Sequence, residues 1–177
     1  MSGEALKAFK RGLTLETSTW YKGILTSGLA TSEETGGAFD LVHSNMRAGT
    51  EPPPHVHSRE SEFFYVLDGK LEVYVDSEVF EVGEGEFMFL PMGRPHAFLI
   101  RSAEIRMLVQ ILPGGFVSAV GKMAVPAEKL EIPSDMQTYA TADLETTLKV
   151  FADHGIRFLS PEEIAEKMPA FPVPHAL

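Results

Sequence analysis

The stretch that decides the fold is "GTEPPPHVHSRESEFFYVLDG", Gly49 to Gly69. Three consecutive prolines, Pro52 to Pro54, stand directly ahead of two histidines spaced by one residue. Proline fixes φ and narrows the unfolded chain's freedom, so the histidine pair arrives pre-positioned. In an extended segment residues i and i+2 point to one face, and His55 and His57 therefore aim both rings at one point. Glu62 begins the next strand-like run, and a bend in "SRES" returns it to the same face. Glu60, two residues nearer the histidines, is a competing carboxylate. His96 supplies a fourth donor, at the head of the run "HAFLIRS" behind the tight turn "PMGRP". Three neutral imidazoles and one carboxylate form a mixed nitrogen and oxygen set suited to one divalent transition metal. Fe, Ni, Mn, Cu and Zn all accept it.

Around this stretch, short apolar runs recur from Ala38 to Pro113: "AFDLVHSNM", "EFFYVLDG", "KLEVYVD", "EVFEVGEGE", "FMFLPMG", "HAFLIRS" and "EIRMLVQILPGG". Many alternate with period two, as Leu71, Val73 and Val75 do against Glu72, Tyr74 and Asp76. Runs of this length and spacing predict antiparallel sheet in a sandwich or closed barrel. Asp68-Gly69 lies between two runs and suits a tight hairpin needing positive φ. Upstream, "STWYKGILTSGLAT" reads as an edge strand broken by "SEETGG". Beyond Gly115 the pattern turns helical: "FVSAVGKM", then "TADLETTLKVFADHG", with Leu144, Leu148 and Phe151 on one face and Gly155 as terminator. "SPEEIAEKM" opens with a capping box, Ser160 as cap, Pro161 at the first helical position and Glu163 reaching back.

The chain has 177 residues, the size of one domain, with 44% apolar residues for a core. Its expected divisions are an N-terminal arm over 1–35, the barrel over 36–113, and a helical tail over 114–177 packed on the barrel. Basic and acidic residues, 15 against 25, give a net charge of −10, which disfavours nucleic acid and anionic membrane surfaces. There is no cysteine, so thiolate ligands, disulfides and cysteine nucleophiles are excluded. No apolar run approaches a membrane span, and "MSGEALKAFKRG" lacks a secretory apolar stretch; a cytoplasmic protein is expected.

Two sets of fixed positions resemble the motifs of the cupin superfamily. The first runs Gly49, five residues, His55, one, His57, four, Glu62, six, Gly69. The second runs Gly85, five residues, Pro91, one, Gly93, two, His96, with Ile100 where an asparagine commonly closes it. This resemblance implies an all-β fold, the cupin-type double-stranded β-helix or jelly-roll barrel, here with a short helical C-terminal tail. It also implies His55, His57, Glu62 and His96 as metal ligands, and its spacing favours Glu62 over Glu60. The layout around "ILPGGFVSAVGK" is similar to single-domain bacterial cupins of the quercetin 2,3-dioxygenase-like group.

The resemblance further implies a metal-dependent oxidoreductase cleaving an apolar, enolisable or phenolic small molecule with dioxygen, Glu62 serving as general base, and a homodimer in which the N-terminal arm adds a strand to a neighbour's sheet. Met46, Phe64, Phe98 and Met107 are candidates to line the substrate cavity. The competing readings are a metal-dependent isomerase or epimerase of a sugar-like substrate and a non-enzymatic metal or small-ligand binder. The first needs inward cations or many polar groups, whereas these strands are rich in Phe, Leu, Val and Met. His43 is expected on a solvated face, Asp68 in a turn, and Arg47, Arg59, Arg94 and Arg101 at the rim. His154 belongs near a helix C-terminus and His175 in the tail.

Overall fold

Side chains that alternate between two faces must find apolar cover on one of them, and two sheets provide it for each other. In the computed structural model, which describes residues 5–134 and 142–172, Ser18–Tyr21 (β1) and Ile24–Ala30 (β2) lead into Asp40–Arg47 (β3), His55–His57 (β4), Ser61–Asp68 (β5), Lys70–Val75 (β6), Glu78–Gly83 (β7), Phe87–Leu90 (β8), His96–Ile100 (β9) and Glu104–Leu112 (β10). Phe116–Gly121 (α1), Val125–Pro126 (β11), Leu144–Asp153 (α2), Ile156–Phe158 (β12) and Pro161–Lys167 (α3) come after them. One sheet has seven strands in the order β11-β1-β2-β3-β10-β5-β8, the other five in the order β12-β4-β9-β6-β7. Every pairing is antiparallel. This is the jelly-roll arrangement, built as two facing sheets.

The core lies between the sheets. Val42, Met46, Phe64, Val66, Ile105, Met107, Val109 and Ile111 from the larger sheet pack against Leu71, Val73, Val75, Val82, Phe98 and Ile100 from the smaller. Each such burial is worth about 1.5–3 kcal/mol against leaving the side chain in water. The tail covers other faces. Leu159 and Met168 are buried with Tyr74 and Ala97 on the outer face of the smaller sheet. Phe151 and Ile156 join Tyr21, Val120 and Met123 in a second cluster. The tail also contributes two strands that the helical reading did not include, and β12 extends the smaller sheet beside β4. Among the described residues, no helix is long and apolar enough to cross a membrane.

Several expectations change in three dimensions. Asp68-Gly69 does not close a hairpin, because β5 and β6 belong to different sheets. Gly69 does take positive φ, 97°, and a Cβ there would lie 2.6 Å from the Glu104 carbonyl oxygen. The turn therefore needs glycine to cross from sheet to sheet. "STWYKGILTSGLAT" is two paired strands turning at Lys22 and Gly23, both with positive φ. β11 pairs with β1 at Thr19 and Trp20. The α2 face also differs. Phe151 is buried with Thr147, while Leu144 and Leu148 stay 69% and 44% exposed. The α3 capping box forms as the sequence suggests, and Gly155, with φ 82°, closes α2 on its C-terminal side. Thr141 and His175 lie outside the described residues.

One buried carboxylate fixes the tail to the sheets. Asp40, 1% exposed, accepts from the backbone N–H of Gly115 at 2.7 Å, Val117 at 3.0 Å and Ser32. Removing it orphans three donors, two of them at the start of α1, and each unsatisfied buried donor costs about 1–3 kcal/mol. Asp40→Ala is therefore expected to lose more than about 2 kcal/mol, read as a lower urea midpoint with an unchanged slope. A midpoint equal to the parent's would remove Asp40 from this role.

Candidate metal centre

The proline run shapes the approach to the site through its carbonyls. Pro53 accepts from His55 Nδ1 at 2.8 Å, and Pro54 accepts from the backbone N–H of Leu159 at 2.9 Å. Glu51 ties the preceding loop down, accepting from Gly49 N–H at 2.7 Å and from Ile100 N–H at 2.8 Å. The residue at the second motif's closing position thus contributes its backbone. The turn before β9 is fastened in the same manner, Gly93 N–H donating to the His57 carbonyl at 2.8 Å.

With the loops ahead of β4 and β9 held in this way, the four donors converge. His55 and His96 are cross-strand partners on β4 and β9, and their ring centroids lie 4.5 Å apart. His57 lies 5.1 Å from His55 and 5.3 Å from His96 by the same measure. Glu62 comes from the opposite sheet, on the inward face of β5 with Phe64 and Val66. One ligand atom from each of His55, His57, Glu62 and His96 falls within 4.8 Å of the others, and all four residues are buried. Donors about 2.0–2.2 Å from one ion stand at most about 4.4 Å apart, so a few tenths of an ångström of closure suffices.

The protonation pattern is set by the partners. His55 Nδ1–H donates to Pro53, His96 Nδ1–H to the Arg94 carbonyl at 3.0 Å, and His57 Nδ1 faces the Glu60 carboxylate at 2.9 Å. Carbonyl oxygens only accept, so the proton of His55 and of His96 sits on Nδ1 and the Nε2 lone pair is left free. His96 Nε2 is buried with no hydrogen-bond partner, and the Glu62 Oε2 lies 3.4 Å away. Such an orphaned acceptor, among two further imidazoles and a carboxylate, fits a divalent cation.

The electrostatics agree. Burial, then the neighbouring His96 and His57, pushes His55 down to about 3, so it stays neutral. His57 is raised: burial opposes its charge, but the Glu60 hydrogen bond and the Glu62 charge outweigh it. Glu62 is lowered: burial opposes its charge, but the neighbouring His96, His57 and His55 side chains outweigh it. Glu60 is not among the four converging groups.

Beside the donors lies a cavity of about 360 Å³. His55, His57 and Glu62 line it, as do Met46, Phe64, Phe98 and Met107. The tail forms its far wall with Phe116 and Val120 on α1, Thr147 and Phe151 on α2, and Ile156 and Phe158 on β12. Phe158 reaches within 6.1 Å of the His55 ring, centroid to centroid. No local pattern in the sequence marks these tail residues as lining. The exception is Phe151, on the apolar helical face. His43 points away from the core, since Asp40, Val42, Ser44 and Met46 are the buried alternates of β3. The four arginines line none of the cavity: Arg47 reaches the Pro133 carbonyl, Arg59 the Asp153 carbonyl, Arg94 pairs with Asp76 and Arg101 with Glu72. Phe87 and Phe89 of "FMFL" also face outward, 58% and 45% exposed, leaving Met88 and Leu90 to the core.

Comparison with known proteins agrees with this geometry. Residues 42–111 match the Cupin domain family, Cupin_2. Quercetin 2,3-dioxygenase of Bacillus subtilis (strain 168) is 30% identical over 105 residues, covering 59% of this chain and 31% of that relative. Polyketide synthase CurC of Streptomyces cyaneus is 29% identical over 102 residues, covering 57% of this chain and 65% of that relative. The match thus spans less than two thirds of either relative. Among solved structures, a mutant of oxalate decarboxylase OxdC from Bacillus subtilis superposes with a TM-score of 0.52 at 21% identity, over 64% of this chain and 32% of that one. That likeness is one of fold.

If these side chains hold a cation, removing one weakens it. His96→Ala is expected to lower affinity for zinc or nickel more than about a hundredfold, beyond the 10–100-fold typical of an outer partner, while the circular dichroism spectrum stays that of a folded β protein. Competition with a chromophoric chelator measures this, and a variant binding as tightly as the parent would break the ligand assignment.

Proposed function

We propose that this chain, whose residues 42–111 match the Cupin domain family, is a metal-dependent dioxygenase acting on an apolar, enolisable or phenolic small molecule. The observation that carries the reading is the cavity lining. A volume of about 360 Å³ beside four buried donors is walled mostly by apolar side chains, Phe, Val, Met, Ile, Leu and Pro, with the hydroxyls of Tyr21, Thr26, Ser44, Thr50 and Thr147 among them. Of its lining residues, only Lys22, Glu51 and Glu62 carry a formal charge away from the histidines. Glu51 is occupied by two backbone N–H groups, and Lys22 is exposed. A sugar phosphate needs inward cations and many hydrogen bonds, so an isomerase or epimerase fits this lining less well. The similarity to quercetin 2,3-dioxygenase over 59% of this chain supports the same choice.

The chain's residues divide the work. His55, His57, His96 and Glu62 would hold the metal, which supplies Lewis acidity toward an enolate or phenolate oxygen and access to one-electron chemistry with dioxygen. Glu62, facing the cavity, accepts the proton of the substrate hydroxyl as general base. Enol and phenol hydroxyls give up a proton to a carboxylate far more readily than sugar hydroxyls do. Phe64, Phe98 and Met107 press the ring system toward the donors, and the wall of Phe116, Phe151 and Phe158 excludes water from it. Both oxygen atoms enter the product, so no external reductant is required.

Cytoplasmic residence and a homodimer complete the proposal. Phe63, Tyr65, Phe87 and Phe89 form an aromatic strip on the outer face at β8, the edge strand. Phe63 stands 5.5 Å from Phe87 and 5.0 Å from Phe89. A second copy would cover it, as contiguous exposed apolar patches commonly mark interfaces. Phe87→Glu is then expected to halve the mass seen by light scattering; an unchanged mass would place the contact elsewhere or leave the chain a monomer.

An oxygen electrode tests the activity directly. Protein reconstituted in turn with Fe, Ni, Mn or Cu is expected to consume one dioxygen per flavonol or 1,3-diketone converted. Absence of uptake with every metal and both substrate classes would overturn the dioxygenase reading and favour a non-enzymatic binder.

A further inference from the structure

The three imidazoles are not held alike. His55 and His96 each give Nδ1–H to a backbone carbonyl two residues upstream, a neutral acceptor. His57 instead has a side-chain carboxylate on its Nδ1, with Glu60 Oε2 at 2.9 Å. Both side chains are buried, at 2% and 5% exposure. Three residues separate them along the chain, so the bend between β4 and β5 that returns Glu62 to the cavity also turns Glu60 back onto the far side of the His57 ring. Glu60 therefore occupies a place that no motif position specifies. It is neither a second oxygen at the converging donors nor a surface charge.

An ionised carboxylate only accepts hydrogen bonds, so it requires the proton on the nitrogen it faces. For His57 that nitrogen is Nδ1, which leaves the Nε2 lone pair directed to the other donors. A carboxylate behind an imidazole also raises the ring's basicity more than a carbonyl does. We propose that Glu60 is a positioning residue for the metal centre, selecting the Nδ1–H tautomer of His57 and making it the strongest of the three nitrogen donors. The inference rests on the metal-site reading above, but its first test does not need a metal.

In the metal-free full-length protein, long-range nitrogen–proton NMR spectra at mildly alkaline pH report each ring's protonated nitrogen. His57 is expected as the neutral Nδ1–H form. A neutral Nε2–H form, or a persistent imidazolium bonded to Glu60, would overturn the proposal without any variant. Glu60→Gln keeps the volume but offers an NH2 group that can donate to Nδ1. It is expected to populate the Nε2–H form of His57 alone, leaving His55 and His96 unchanged, a selectivity that mere loosening of the loop would not produce. Zinc affinity should fall about 10–100-fold, with Glu60→Asp recovering part of the loss. A Gln variant with an unaltered His57 pattern and zinc affinity within about twofold of the parent would sink the idea. Should the parent bind no zinc at all, the metal-site reading fails, and the tautomer measurement still decides the role of Glu60.

Discussion

Burying four polar groups so that their free lone pairs meet is the constraint on which this structure depends. Each group taken from water without a partner costs free energy, and here His96 Nε2 makes no hydrogen bond. Left to themselves, such side chains would swing outward. They stay because each ring is anchored from behind: His55 by Pro53, His96 by Arg94 and His57 by Glu60. Two of those anchors are backbone carbonyls of the segments leading into β4 and β9, so the backbone itself supplies the restoring force. A cation would repay the cost, which is why metal affinity and fold are coupled at a site of this kind.

The two-sheet core makes the anchoring possible. Glu62 descends from β5 in the larger sheet, whereas the histidines sit on β4 and β9 in the smaller. Only packing between the sheets, through residues such as Phe64 against Phe98 at 5.4 Å, brings the carboxylate within reach. The same packing stops short of the site and leaves a cavity. Its far wall belongs to the tail, held by Asp40 at the start of α1 and by β12 beside β4. A substrate at the donors would thus touch residues about a hundred positions apart in the chain, such as His55 and Phe158. Metal geometry and pocket shape are set by different segments, so the shape can differ between relatives that share the donors.

The sequence alone carried a great deal here, for a physical reason. Period-two alternation in "KLEVYVD" reports which side chains face the core, and Leu71, Val73 and Val75 are fully or nearly buried. The spacing of His55, His57, Glu62 and His96 is likewise readable, because strand geometry fixes where near neighbours point. Such signals are local, and local geometry follows from residue type. The capping box at Ser160 belongs with them, a hydrogen-bond exchange confined to four residues.

What the tertiary structure decided was every relation that local geometry leaves free. Asp68-Gly69 has the chemistry of a hairpin turn, yet it carries the chain between sheets, since pairing partners are chosen by the whole core. "FMFL" has uniform hydrophobicity, and only the register of β8 against β5 sends Phe87 and Phe89 outward. The competition between Glu60 and Glu62 closed the same way: one carboxylate lies behind an imidazole and the other among the donors. Thr147 and Phe158 gave no sign of lining a cavity, because their neighbours across it are distant in sequence and come together only when the tail folds over the sheets.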